Sequence, residues 1–101
     1  MKRSPKIVGL LERVRKSVEL GEYFDSRHFL TRQKERNISR LDVEYVLKSG
    51  WHEKQKDSFD MFNHTWNYSL RGLTVDSREL RVVVSYDARV MMIITAIDLD
   101  C

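Results

Sequence analysis

The sequence predicts an α+β domain in which N-terminal helices pack on one face of a C-terminal antiparallel β-sheet. Two observations predict it: apolar residues recur every three to four positions up to Gly50, and from Trp66 onward they alternate with polar ones. A chain of 101 residues, 42% hydrophobic and 33% charged, supports one hydrophobic core, so a single domain over 1–101 is expected.

The first helix should open at Ser4 and Pro5, because serine caps free amides and proline at the first helical position gives up only a donor without a partner. Ile7, Leu10, Leu11, Val14 and Val18 then form its apolar stripe, and Gly21 supplies a left-handed stop. Tyr23 and Phe24 make a short link or edge strand. Asp25 or Ser26 caps a second helix that runs to about Arg36 and ends at Asn37. The third helix carries Ser39 as cap with Asp42 in the capping-box position, Ile38 and Val43 as a hydrophobic staple, and Gly50 as its close. Leu41, Tyr45, Val46 and Leu47 provide its apolar residues.

Beyond Gly50 the period is two. Trp66, Tyr68 and Leu70 alternate with Asn67, Ser69 and Arg71, while Leu80, Val82, Val84 and Tyr86 alternate with Arg81, Val83 and Ser85. Val90 to Ile97 is apolar nearly throughout, as for a strand covered on both faces. Asp76-Ser77 and Asp87-Ala88 stand at hairpin distances between these runs. Trp51 to Lys56 offers a further, poorly alternating strand, and Asp57 to His64 reads as a mobile loop carrying Phe59, Met61 and Phe62.

Several function classes fall away at this point. The longest apolar run, Val90–Ile97, is interrupted by Thr95 and is far shorter than a membrane span. The basic start, Met1–Lys6, lacks the apolar core of a secretory signal, so a cytoplasmic protein is expected. His28, His52 and His64 have no ligand-like spacing, the only cysteine is Cys101, and Gly9, Gly21, Gly50 and Gly72 are scattered; neither a metal, a phosphate-cradling loop nor another cofactor is expected. Charge is uneven. Residues 1–50 hold 12 Lys and Arg against 7 Asp and Glu, residues 51–101 hold 6 against 8. Arg27, Arg32, Lys34, Arg36 and Arg40 are opposed over their own stretch only by Glu35, a density that suits phosphates or an acidic partner as well as a solvated helix face.

The run Ser26-Arg27-His28-Phe29-Leu30-Thr31-Arg32-Gln33-Lys34-Glu35-Arg36-Asn37-Ile38-Ser39, followed by Val43, Val46, Leu47 and Gly50, resembles an uncharacterised bacterial domain family. That family shows a His, an Arg four on, an Arg four further, an Ile-Ser helix start and a closing Gly. Leu70-Arg71-Gly72, Glu79 to Val84 and Ile93-Ile94-Thr95 continue the likeness, which covers roughly Ile7 to Ile97. The chain departs from the pattern at Phe29, where a small Ala is usual, and at Gln33, where a Met is usual; both bear on how the second helix packs. In layout the family is similar to the RelE and BrnT toxins of toxin–antitoxin pairs. The resemblance implies a RelE-like fold, cleavage of RNA without a metal, and an acidic antitoxin-like partner.

His28, Arg32, Glu35 and Arg36 fall at offsets that place them along one side of a helix. A metal-independent ribonuclease needs a base for the 2′-hydroxyl proton and donors for the charge that builds on the phosphoryl oxygens. His28 supplies an imidazole for the proton transfer, and Arg32 and Arg36 carry planar forks suited to phosphate. Arg71 and Arg81 on the sheet would close the site, with Tyr68 or Tyr86 stacking a base or giving a proton. Each residue has an alternative role: His28 as a helix cap, Arg32 with Glu35 as a surface pair, Arg71 and Arg81 as ordinary outward strand residues, and the tyrosines as packing. A non-catalytic module that binds RNA or a protein therefore stands beside the nuclease.

Overall fold

The computed structural model describes residues 3–100. Three helices precede most of a mixed six-stranded sheet, an α+β arrangement: α1 Leu10–Leu20, β1 Tyr23–Asp25, α2 Arg27–Arg36, α3 Arg40–Ser49, β2 Trp51–His52, a short 3-10 turn Lys54–Lys56, β3 Ser58–Asp60, β4 Thr65–Leu73, β5 Glu79–Asp87 and β6 Val90–Asp98. The strand order is β1-β6-β5-β4-β2, with β3 paired to the other half of the β4 edge.

Local signals place the helix ends. Ser26 Oγ accepts the Phe29 amide at the start of α2, and Asn37 ends that helix in the left-handed conformation. Ser39 and Asp42 form the expected reciprocal capping box on α3. Helix α1 differs. It begins at Leu10, not Pro5, because Gly9 adopts φ 70° and interrupts the helix there. Residues 3–9 instead lie as a strap, where the Ile7 amide donates to Tyr68 Oη (2.9 Å) and the Ser4 carbonyl accepts from Trp66 Nε1 (2.6 Å).

Strands β4, β5 and β6 form the expected antiparallel meander. The short Tyr23–Asp25 strand joins it in parallel, against Met91–Ile93 of β6. Part of the segment read as a loop is ordered: Ser58–Asp60 pairs with Thr65–Asn67, and the Asp60 carboxylate accepts the Phe62 and Asn63 amides in the turn.

One face of the sheet carries the core. Tyr68, Leu70, Leu80, Val82, Val84, Met91 and Ile93 are buried there beneath Leu10, Val14 and Val18 of α1, Phe29 of α2, and Val43, Val46 and Leu47 of α3. Helix α3 approaches β4 so closely that a Cβ on Gly72 would lie 3.0 Å from the Gly50 Cα, which explains glycine at both positions. Helix α2 packs against β6 beyond the reach of β1. Among the described residues none of α1, α2 and α3 lies over the opposite face. Strand β6 is thus covered fully on one side only, with Met92, Ile94 and Ile97 half-buried on the other, in contrast to the two-sided cover its apolar run predicts.

Candidate functional site

The helix-free face is built by strand parity. Asn67, Ser69 and Arg71 of β4, Glu79, Arg81, Val83 and Ser85 of β5, and Met92, Thr95 and Ile97 of β6 project to it. Arg71 and Arg81 stand directly opposite each other across the β4–β5 pair. Two like charges in that relation repel. Glu53, just after β2, resolves the conflict: Arg81 Nε donates to Glu53 Oε1 (2.7 Å) and Arg71 Nη1 to Oε2 (3.0 Å). Arg71 also pairs with Glu79. Glu53 is 4% exposed, yet its cover consists of two guanidinium groups that themselves reach solvent. Its hydrogen bond from Arg81, reinforced by Arg71, holds the carboxyl below the usual glutamate range against the opposing effect of burial. The cluster is ionised and close to neutral overall.

The neighbouring Asp57 works in a different way. Its fully buried carboxylate accepts the Ser69 amide (2.9 Å), pairs with Lys6 Nζ (3.0 Å) and meets His52 Nε2 (2.7 Å), tying the strap, the loop after β2 and β4 together. These groups are used up by the fold.

Helix α2 borders the open face. Arg36 Nη1 donates to Thr95 Oγ1 (3.1 Å) and to the Ala96 carbonyl (2.8 Å), so one end of the His28–Arg32–Arg36 stripe is anchored on β6. At about 100° per residue, His28, Arg32 and Arg36 span about 80° of the helix surface. Phe29 turns into the core and Gln33 toward the start of α3, while of the stripe Arg36 is the residue that reaches the open face, at Thr95. His28 is exposed and has no hydrogen-bond partner among the described residues. Arg32 is exposed and makes only the i,i+3 pair with Glu35 (3.0 Å). Phe29, at the position where the family pattern has a small residue, is buried in the core, with the α2 cap on Ser26 intact.

The two tyrosines lie elsewhere. Tyr68 is 3% exposed and Tyr86 8%, both on the helix-covered face. Tyr68 Oη accepts from the strap, and Tyr86 Oη shares a hydrogen bond with Ser17 (3.0 Å) while Arg13 lies over its ring. Burial raises the Tyr86 pKa, with Ser17 acting in the opposite direction. Neither ring offers a free face for a base. The structure thus brings Arg71 and Arg81 together, sets the α2 stripe beside their sheet, and assigns the tyrosines to packing.

Glu53 was not foreseen. The signal that could have found it is the Arg71–Arg81 pairing itself, since a hairpin with two arginines opposite each other calls for a carboxylate between them. Among the described residues no three His, Cys, Asp or Glu side chains gather where a metal could be held.

The family model of a domain of unknown function, DUF4258, matches residues 26–98. The chain belongs to this family. Comparison with curated proteins finds no match. The DUF4258 span begins at the Ser26 cap of α2 and ends with β6, so it contains His28, Arg32, Arg36, Glu53, Arg71 and Arg81. The strap, α1 and β1 precede it, although α1 supplies Leu10, Val14 and Val18 to the core.

Proposed function

We propose that this DUF4258 protein is a RelE/BrnT-like toxin that cleaves RNA without a metal, on the surface of α2. The observation that carries the reading is that His28 and Arg32 are exposed on α2 and that His28 makes no hydrogen bond among the described residues. Side chains that serve packing or capping are buried or bonded, as Tyr68, Tyr86 and Ser26 are. In the reaction His28 takes the proton of a 2′-hydroxyl, the 2′-oxygen forms a bond to phosphorus, and the bond from phosphorus to the 5′-oxygen breaks, that oxygen taking a proton from water. Arg32 holds the phosphoryl oxygens, and Arg36, fixed on Thr95, is a positioning residue with guanidinium hydrogens to spare. Arg71 and Arg81, already balanced by Glu53 and Glu79, guide the strand instead of neutralising it. An acidic antitoxin-like protein would inhibit by covering α2.

The balanced charge of Arg71 and Arg81 favours one other reading, a module that binds RNA or a protein without cleaving it. The two separate on incubating the purified chain with mixed single-stranded RNA in EDTA, beside a His28→Ala/Arg32→Ala variant whose fold is checked by circular dichroism. Cleavage by the parent, falling about 10²–10⁴-fold in the variant, is expected of a general base. Intact RNA with a folded parent would overturn the nuclease and leave the binding module.

A further inference from the structure

A cavity of about 320 Å³ opens on the same sheet face, at the end away from Glu53, and is large enough to take a small ligand. Its floor is made by side chains of the central strands. Ser85 and Met92 sit opposite each other on β5 and β6, Ile94 lies beside them, and Asn67 of β4 extends the floor. The β3–β4 hairpin forms a wall with Asp60, Asn63 and Thr65.

The chemistry of the lining is selective. Ser85 is 5% exposed and Thr65 and Asn67 are half-buried, and the side chains of all three make no hydrogen bond to other described residues, so they are free to meet a ligand. The two carboxylates differ. Asp60 is occupied by the Phe62 and Asn63 amides and the Asn63 side chain, whereas Asp87 stands exposed at the rim, at the end of β5, with both oxygens open to a ligand. Among the described residues no lysine or arginine lines the cavity, and its two carboxylates disfavour a phosphate or another anion. Met92 and Ile94 suit a flat apolar ring face. A neutral planar ligand whose edge is rich in hydrogen-bond donors fits all of these features.

We infer that this cavity is a nucleobase subsite, and that it takes a base by an amino-bearing edge, guanine first. Guanine offers a ring N–H and an exocyclic amino group side by side, a match for the two oxygens of Asp87, while Asn67 and Ser85 can donate to its acceptors. Uracil has no amino group and turns carbonyl oxygens toward the carboxylate. The inference rests on the reading of the protein as RNA-directed. Asn67 lies four residues from Arg71 along β4, about 13 Å in an extended strand, a span that a short stretch of single-stranded RNA can bridge.

The test is an amide-shift titration of the full chain with guanosine 5′-monophosphate, uridine 5′-monophosphate and inorganic phosphate, which carry or lack the base while sharing the phosphate. Guanosine monophosphate is expected to shift Asn67, Ser85 and Met92 and to bind at least about tenfold more tightly than uridine monophosphate, the size of one charge-assisted hydrogen bond. Asp87→Asn should erase that preference, and Ser85→Ala should weaken binding of the guanosine nucleotide. Equal affinity for the two nucleotides, shifts confined to Arg71 and Arg81, or no shift at millimolar nucleotide would overturn the subsite. Guanosine binding by a folded protein that leaves RNA intact would sink the nuclease and keep the subsite. Cleavage indifferent to base and to Asp87→Asn would do the reverse.

Discussion

The two faces of one sheet are built to opposite rules. On the helix-covered face Leu70, Leu80, Val82, Val84, Met91 and Ile93 are buried, and the Tyr68 and Tyr86 hydroxyls are both bonded. On the open face two arginines share one glutamate, and Ser85, Asn67 and Thr65 keep hydrogen-bonding capacity in hand. The same strands supply both faces, residue by residue in alternation. Apolar burial is therefore concentrated on one side and polar and charged side chains on the other, and a substitution should report which side it touches.

The largest effect should come from the covered face. Leu70→Ala removes a side chain with no exposure beneath the helices and should cost about 2–5 kcal/mol in urea denaturation. An equal loss for Met92→Ala on the open face would break the contrast. Next comes the seam between α3 and β4. Gly50→Ala would set a Cβ against the Arg71 carbonyl oxygen and 2.7 Å from that of Val46, an overpacking of backbone that should cost about 1–3 kcal/mol. The smallest stability effect should be Glu53→Gln, because solvent reaches the guanidinium groups that cover it, and here pH is the discriminating variable. Glu53 has a lowered pKa in the folded protein, so its contribution is complete above the ordinary glutamate range and is lost as pH falls through the folded value. Denaturation midpoints measured from neutrality to about pH 3 should fall less in Glu53→Gln than in the parent. Parallel curves would mean that the carboxylate is not what balances the two arginines.

Much of the candidate site was legible one segment at a time. The His28–Arg32–Arg36 stripe follows from helical spacing, and Arg71 and Arg81 follow from strand alternation, because both patterns repeat within a few residues. Of the two roles open to the tyrosines, packing is the one the structure gives them. Alternation puts Tyr68 with Leu70 and Tyr86 with Val84, which is the buried side. Glu53 depends on pairing between β2 and β4, eighteen residues apart in the case of Glu53 and Arg71, and no local pattern carries that register.

By itself the sequence determined the fold class, the caps of α2 and α3 and the antiparallel meander, since capping hydrogen bonds and side-chain periodicity are satisfied within one element or one hairpin. Tertiary structure decided the rest. It made Gly9 a break and residues 3–9 a strap, because the freed Ile7 amide found the Tyr68 hydroxyl. It joined β1 in parallel to β6, set Glu53 between two arginines, and closed a cavity under the β3–β4 hairpin. Each of these depends on groups distant in the chain meeting within hydrogen-bond or contact range, and that proximity exists only once the core has brought the elements together.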